Sequence, residues 1–167
     1  MNPTEAKIIA NYLLADFEGE MQTTINVLAA APDASLDYRP DGKSKTALGL
    51  LRHLALEDAW LLNSIADGAF TPPPDDSAAC GIHNAADAGS RYKASVPAAV
   101  ERVRGLPAEK LTETIDMFGM FQLPALGFLS ITAKHSVHHR GQLTSYLRAM
   151  GGKVPSVYGP TADSQQV

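Results

Sequence analysis

Cysteine is almost missing from this 167-residue chain. Cys80 stands alone, which excludes an intramolecular disulfide and any thiolate cluster able to hold structural zinc or an iron–sulfur group. An excess of positive charge is missing too: 14 Lys and Arg face 18 Asp and Glu, for a net charge of −4 and a pI near 5.7. A surface built to neutralise phosphate shows the opposite balance, so nucleic acid is not an expected partner. No unbroken apolar run approaches the ~18 residues of a membrane span, and no membrane association is expected. The start, Met1-Asn2-Pro3-Thr4-Glu5-Ala6-Lys7, has no basic stretch followed by an apolar core, so it does not read as a secretory signal. With the lone cysteine, this leads to an expected cytoplasmic location. Glycine-rich phosphate fingerprints of the Walker and dinucleotide types are absent.

What is present is a globular composition. Hydrophobic residues make up 45% and charged residues 19%, enough apolar surface for one core, and the length suits a single domain over residues 1–167.

Hydrophobic periodicity predicts an all-α fold. From about Thr4 to Ala30, Ile9, Leu13, Phe17, Met21, Ile25 and Leu28 recur at helical steps, as expected of the buried face of an amphipathic helix. Pro32 and the stretch Leu36 to Gly42 break it. A second helix starts near Thr46, continues through Leu48, Leu51, Ala55, Leu62 and Ile65, and stops at Asp67-Gly68. Thr71-Pro72-Pro73-Pro74 opens a connector reaching about His83, and the proline run reads as a stiff spacer. A third helix is expected over Ala85–Arg104 on Tyr92, Val96, Val100 and Val103, with Pro97 arguing for a kink or a late start. A helical turn at 107–111 and an extended piece at 115–121 lead to a fourth helix from Pro124 to Met150, ended by Gly151-Gly152. Four helices with long second and third connections predict a four-helix bundle whose middle pair runs the same way.

Five histidines are present, three of them in Lys134-His135-Ser136-Val137-His138-His139-Arg140. At ~100° per residue, Phe128, Ile131, His135, His139, Gln142, Tyr146 and Ala149 form one stripe, whereas His138 shares another with Lys134, Gly141, Ser145 and Arg148. His135 and His139 are therefore expected to face the bundle interior and His138 to face water. Side chains four apart on a helix begin ~5–6 Å apart, close enough for two imidazoles to share one divalent ion. His53, in apolar surroundings where an unpaired imidazole is costly to bury, is the natural third ligand. The bland alternative is that ordinary hydrogen bonds satisfy all three rings. Ser136 takes the place of the glutamate in HExxH, which argues against a zinc peptidase. Cys80 and His83 lie in the connector without two further ligands, and a loop origin is the plainer account. Arg140 is expected to be a surface ion-pair partner.

The segment from His135 to Arg148 closely resembles the fourth-helix signature of the DinB/YfiT-like family. Leu51-Arg52-His53-Leu54 with Asp58 and Trp60 resembles its second-helix signature, and Gly151 to Gly159 its tail. The resemblance implies an up-down-down-up four-helix bundle, usually a homodimer, with a divalent metal on one histidine of the second helix and two of the fourth. At the matching positions these are His53, His135 and His139.

Three imidazoles leave coordination positions open, as catalytic rather than structural sites do. Zinc, nickel and iron all suit such a site. Relatives implied by the resemblance use low-molecular-weight thiols, so the leading expectation is metal-assisted activation of a thiol for attack on an electrophilic small-molecule substrate. A second is metal-dependent hydrolysis of a small molecule, with Glu57, one turn after His53, as base or as acceptor behind a ligand; its plainer reading is a solvated helix residue. Gln142 is expected to bind substrate, to orient a ligand, or simply to pack between helices. A third expectation is a non-enzymatic metal-binding protein of stress response.

Overall fold

In the computed structural model, which describes residues 1–164, four α-helices carry the fold: α1 (Pro3–Ala29), α2 (Ala47–Asp67), α3 (Ala85–Arg104) and α4 (Ala125–Leu147). Each start is written in local chemistry. Asn2 and Glu5 form a reciprocal capping box ahead of α1, with Pro3 in its first turn, where a missing N–H costs nothing. Thr46 accepts from the Gly49 amide at 3.0 Å to cap α2, and Asn84 accepts from Asp87 at 2.8 Å to cap α3. Gly68, at φ 70°, ends α2 in the left-handed conformation, as expected from Asp67-Gly68.

Contacts along the helices set their directions. Arg52 near the start of α2 donates to the Ile82 carbonyl just before α3, while Arg102 near the end of α3 bonds Asn63 and Asp67 near the end of α2. These two helices therefore run parallel. Lys7 at the start of α1 donates to the Arg104 and Leu106 carbonyls at the far end of α3, so α1 opposes α3. In α4, Arg140 reaches Glu20 and Thr24 late in α1, and Tyr146 reaches Lys45 just before α2. The order is up-down-down-up, with α1 packed on α3 and α4, and α2 packed on the same pair. None of the helices among the described residues is long and apolar enough to cross a membrane.

Between α3 and α4 the stretch expected to be simply extended folds back on itself. Strands β1 (Thr114–Met117) and β2 (Phe121–Pro124) pair antiparallel, with Ile115 opposite Leu123. Phe118 and Gly119 at its tip have φ of 56° and 72°, a pair of left-handed residues that matches the twist of a hairpin. Glycine accepts this freely, whereas a phenylalanine there is an outlier.

Three other expectations change. The buried face of α1 is Ala6, Ala10, Leu14, Phe17, Thr24, Val27 and Leu28; Ile9 is 37% exposed, and Leu13, Met21 and Ile25 sit at the margin. Small alanines, Ala6 and Ala10, form the first turns of this face, where close packing and not their own hydrophobicity buries them. Pro97 neither delays α3 nor divides it, because the helix runs through and the proline lies on its exposed side. Regular helix in α4 stops at Leu147, three residues before Met150, although Met150 still donates to the Tyr146 carbonyl. Gly152 then passes so close to the end of α1 that a Cβ would stand 3.0 Å from the Ala30 carbonyl oxygen.

Candidate metal centre

Antiparallel packing of α2 on α4 brings His53 beside His135 and His139. Ring centroids are 5.0 Å apart for His53 and His135, 4.2 Å for His53 and His139, and 4.5 Å for His135 and His139. One ring nitrogen from each residue lies within 4.8 Å of those of the other two. Nitrogens sharing one tetrahedral ion stand ~3.4 Å apart at ordinary bond lengths, so small ring rotations separate this arrangement from a closed site. The three rings are half-buried rather than enclosed. This modifies the expectation of an interior stripe: the buried centre of α4 is Phe128, Leu129, Thr132, Ser136, Arg140 and Leu143, and His135 and His139 flank it along a groove toward α2. Gln142 and Ala149, assigned to the same stripe, are exposed. His138 is also exposed, as expected from its spacing.

The neighbours of each ring decide which nitrogen is free. His139 Nδ1 lies 2.7 Å from Gln142 Oε1. An amide oxygen only accepts, so this nitrogen carries the proton and Nε2 keeps its lone pair. His53 Nδ1 lies 3.4 Å from Glu57 Oε1, with both side chains largely covered at 13% and 16% exposure, while His53 Nε2 is buried with no partner at all. Glu57 is therefore not the solvated residue its plainer reading suggested; it stands behind a ring. A buried nitrogen without a partner is costly, and an ion bound at Nε2 would remove that cost. The donor set fits a divalent ion, because neutral imidazole suits zinc, nickel and iron alike.

Charge favours the neutral form. His139 has its pKa lowered to about 4, chiefly by burial, which outweighs the upward pull of the Gln142 hydrogen bond, with smaller downward contributions from the neighbouring His53, His135 and His138. A ring that stays neutral near pH 7 needs to lose no proton before it can ligate. Among the described residues Cys80 and His83 belong to no comparable group. Their connector is tied to α2, with Arg52 donating to the Asp76 carbonyl and Lys45 paired with Asp76.

Comparison with known proteins agrees with this architecture. A model of the DinB family matches residues 3–166. The chain belongs to the DinB family. An uncharacterised protein, YrdA, of Bacillus subtilis (strain 168) is 27% identical over 154 residues, covering 92% of this chain and 90% of the relative. The crystal structure of a DinB-like protein from Bacillus cereus superimposes with a TM-score of 0.72 at 26% identity, over 87% of this chain and 95% of the other. That of the DinB-like protein YjoA from Bacillus subtilis gives 0.69 at 22% identity, over 87% and 96%; at that identity the likeness speaks for the fold alone.

Two residues of this DinB-family chain carry more than its sequence suggested. Arg140, expected at the surface, is 1% exposed. It donates to the Glu20 carboxylate, to the Thr24 hydroxyl at 3.2 Å and to the Tyr158 hydroxyl at 2.5 Å, joining α4 to α1 and the tail. The signal was present in the spacing, since Arg140 lies one turn beyond Ser136 on the face that also bears Thr132 and Leu143. Asp58, which the sequence marks only as part of a family signature, is fully buried. Its Oδ2 accepts from Ser136 at 2.7 Å and from Tyr92 at 3.2 Å. A charged residue at a position surrounded by Leu54, Ala55, Leu61 and Leu62 was the available clue.

Proposed function

We propose that this DinB-family protein is a metal-dependent enzyme in which His53, His135 and His139 hold a divalent ion, zinc, nickel or iron, and a low-molecular-weight thiol is activated for attack on an electrophilic small molecule. The observation carrying the proposal is the orphaned His53 Nε2, buried beside two rings from another helix. With three protein ligands and open positions, a bound divalent ion lowers the pKa of a thiol or water and polarises an electrophile. The chain contributes the rest. Gln142 holds the proton of His139 on Nδ1, Glu57 faces the same atom of His53, and the three rings are only half-buried, so the centre is not sealed from solvent.

Hydrolysis is the weaker alternative because of Glu57. A carboxylate directed at an imidazole nitrogen 3.4 Å away is occupied in orienting that ring, rather than free to take a proton from water. Self-association and a cytoplasmic setting, where thiols stay reduced, belong to the same proposal. Sedimentation velocity tests the self-association by whether it detects a second copy.

Metal content of protein purified without metal-affinity steps tests the centre. Wild type and His138→Ala are expected to retain about one ion per chain, and His139→Ala to lose it. Equal loss from both histidine variants would refute the ligand assignment. Turnover of an electrophile that requires both the ion and added thiol supports transfer; ester or amide cleavage without thiol favours hydrolysis; tight binding with neither leaves a metal-binding protein.

A further inference from the structure

Besides His53 Nε2, two more atoms at this centre are orphaned. Asp58 Oδ1 and His135 Nδ1 are each buried without a hydrogen-bond partner, and they face one another across 3.8 Å. One is an acceptor by nature and the other a donor whenever the ring proton is placed on it. They are separated by less than 1 Å beyond ordinary hydrogen-bond length, a gap that rotation about the soft terminal torsions of both side chains closes.

We propose that Asp58 is the positioning residue of this centre: its Oδ1 takes the Nδ1–H of His135, which fixes the ring's tautomer and turns Nε2 toward the ion. The proposal rests on the metal-centre reading and completes it. With Glu57 behind His53 and Gln142 behind His139, every ligand ring then has an oxygen at Nδ1 and a lone pair at Nε2. Asp58 differs from the other two in being fully buried and in being held from the opposite side. Ser136 and Tyr92 both bond its Oδ2, so the carboxylate is anchored by α3 and α4 before it reaches the ligand. A buried carboxylate with two neutral donors and one bare oxygen is unfavourable by itself. A cationic centre behind His135 supplies the opposite charge it lacks, and a metal ligand hydrogen-bonded to a carboxylate is the more basic for it.

Two measurements on Asp58→Asn and Asp58→Leu test this, with Ser136→Ala as a control that disturbs the same buried cluster without removing Oδ1. In competition titration with a chromophoric zinc chelator, Asp58→Leu should weaken zinc binding by about 10- to 100-fold, Asp58→Asn by less because its amide oxygen still accepts, and Ser136→Ala by under about threefold. Imidazole nitrogen NMR of the metal-free wild type should show His135 protonated on Nδ1, and Asp58→Leu should lose that preference. Unchanged zinc affinity in a folded Asp58→Leu, or an Nε2-protonated His135 in wild type, overturns the role of Asp58 while the metal centre stands. A wild type that binds no zinc, nickel or iron overturns the metal centre itself, and the proposal with it. If Asp58→Leu does not fold, the wild-type tautomer together with the zinc affinity of Asp58→Asn decides.

Discussion

The two sides of α4 hold polar residues in opposite conditions. Toward α1, the Arg140 guanidinium is buried and both its terminal nitrogens are engaged, with Glu20, Thr24 and the Tyr158 ring and hydroxyl around it. Toward α2, three polar atoms are buried without partners: His53 Nε2, His135 Nδ1 and Asp58 Oδ1. Both regions are polar, and both bridge α4 to a neighbour. The difference is completeness. A satisfied network returns the desolvation of its members as structure, whereas an unsatisfied one leaves the protein less stable than it would be with the missing ligand in place. The Arg140 side therefore reads as a clasp and the histidine side as a site.

The sharpest way to break that contrast is to damage each side in turn and follow unfolding in denaturant. Arg140→Met should cost about 2 kcal/mol whether or not metal is present, since it removes the buried cation that joins Glu20, Thr24 and Tyr158 and leaves the partly covered Glu20 carboxylate with Tyr158 alone. His53→Ala should cost under about 1 kcal/mol in metal-free protein, because it deletes an unpartnered nitrogen along with the ring's packing, and should remove the extra stability conferred by zinc. Equal losses in metal-free protein would mean that both sides are merely structural.

Acid sharpens the comparison further. His139 is held near pKa about 4 in the folded chain, chiefly by burial, against ~6.5 for the unfolded residue. Between those values the unfolded state binds more protons, so stability rises with pH across this window and is lost as pH falls from about 6.5 to about 4. In metal-free protein His139→Ala should flatten that part of the profile, as read by thermal unfolding at successive pH values, while Arg140→Met should only lower it. The smallest effect is expected at the rim. Gln142→Ala removes an acceptor from an exposed position, and zinc affinity should fall by no more than about tenfold; a loss as large as that expected of Asp58→Leu would mean that exposure does not weaken an orienting group.

Much of this architecture is legible in the amino-acid order. Helix starts are marked by Thr46 and Pro124, the stop of α2 by Gly68, and the pairing of His135 with His139 by their spacing. Each depends on chemistry within one or two turns of chain. Asp58 and Arg140 are not legible in the same way. A lone charged residue in an apolar helix has the same sequence whether it turns outward or is met by groups of other elements, which are donors on α3 and α4 for Asp58 and acceptors on α1 and the tail for Arg140. The α1 face is misplaced by hydrophobic periodicity for a related reason, because Ala6 and Ala10 are buried by the closeness of neighbouring helices and not by their own hydrophobicity. At the hairpin, Gly119 is a turn signal, but Phe118 carries none for its left-handed conformation.

Local periodicity, capping and breaker residues thus determined four helices and the placing of two histidines on one side of the last, because those properties arise from contacts a few residues apart. Tertiary packing decided which oxygen stands behind each imidazole, that Arg140 is enclosed, and that a carboxylate oxygen without a partner lies against His135. Those outcomes depend on the register of α2 and α3 against α4, and groups distant in sequence acquire their partners, or fail to, only when the helices have come together.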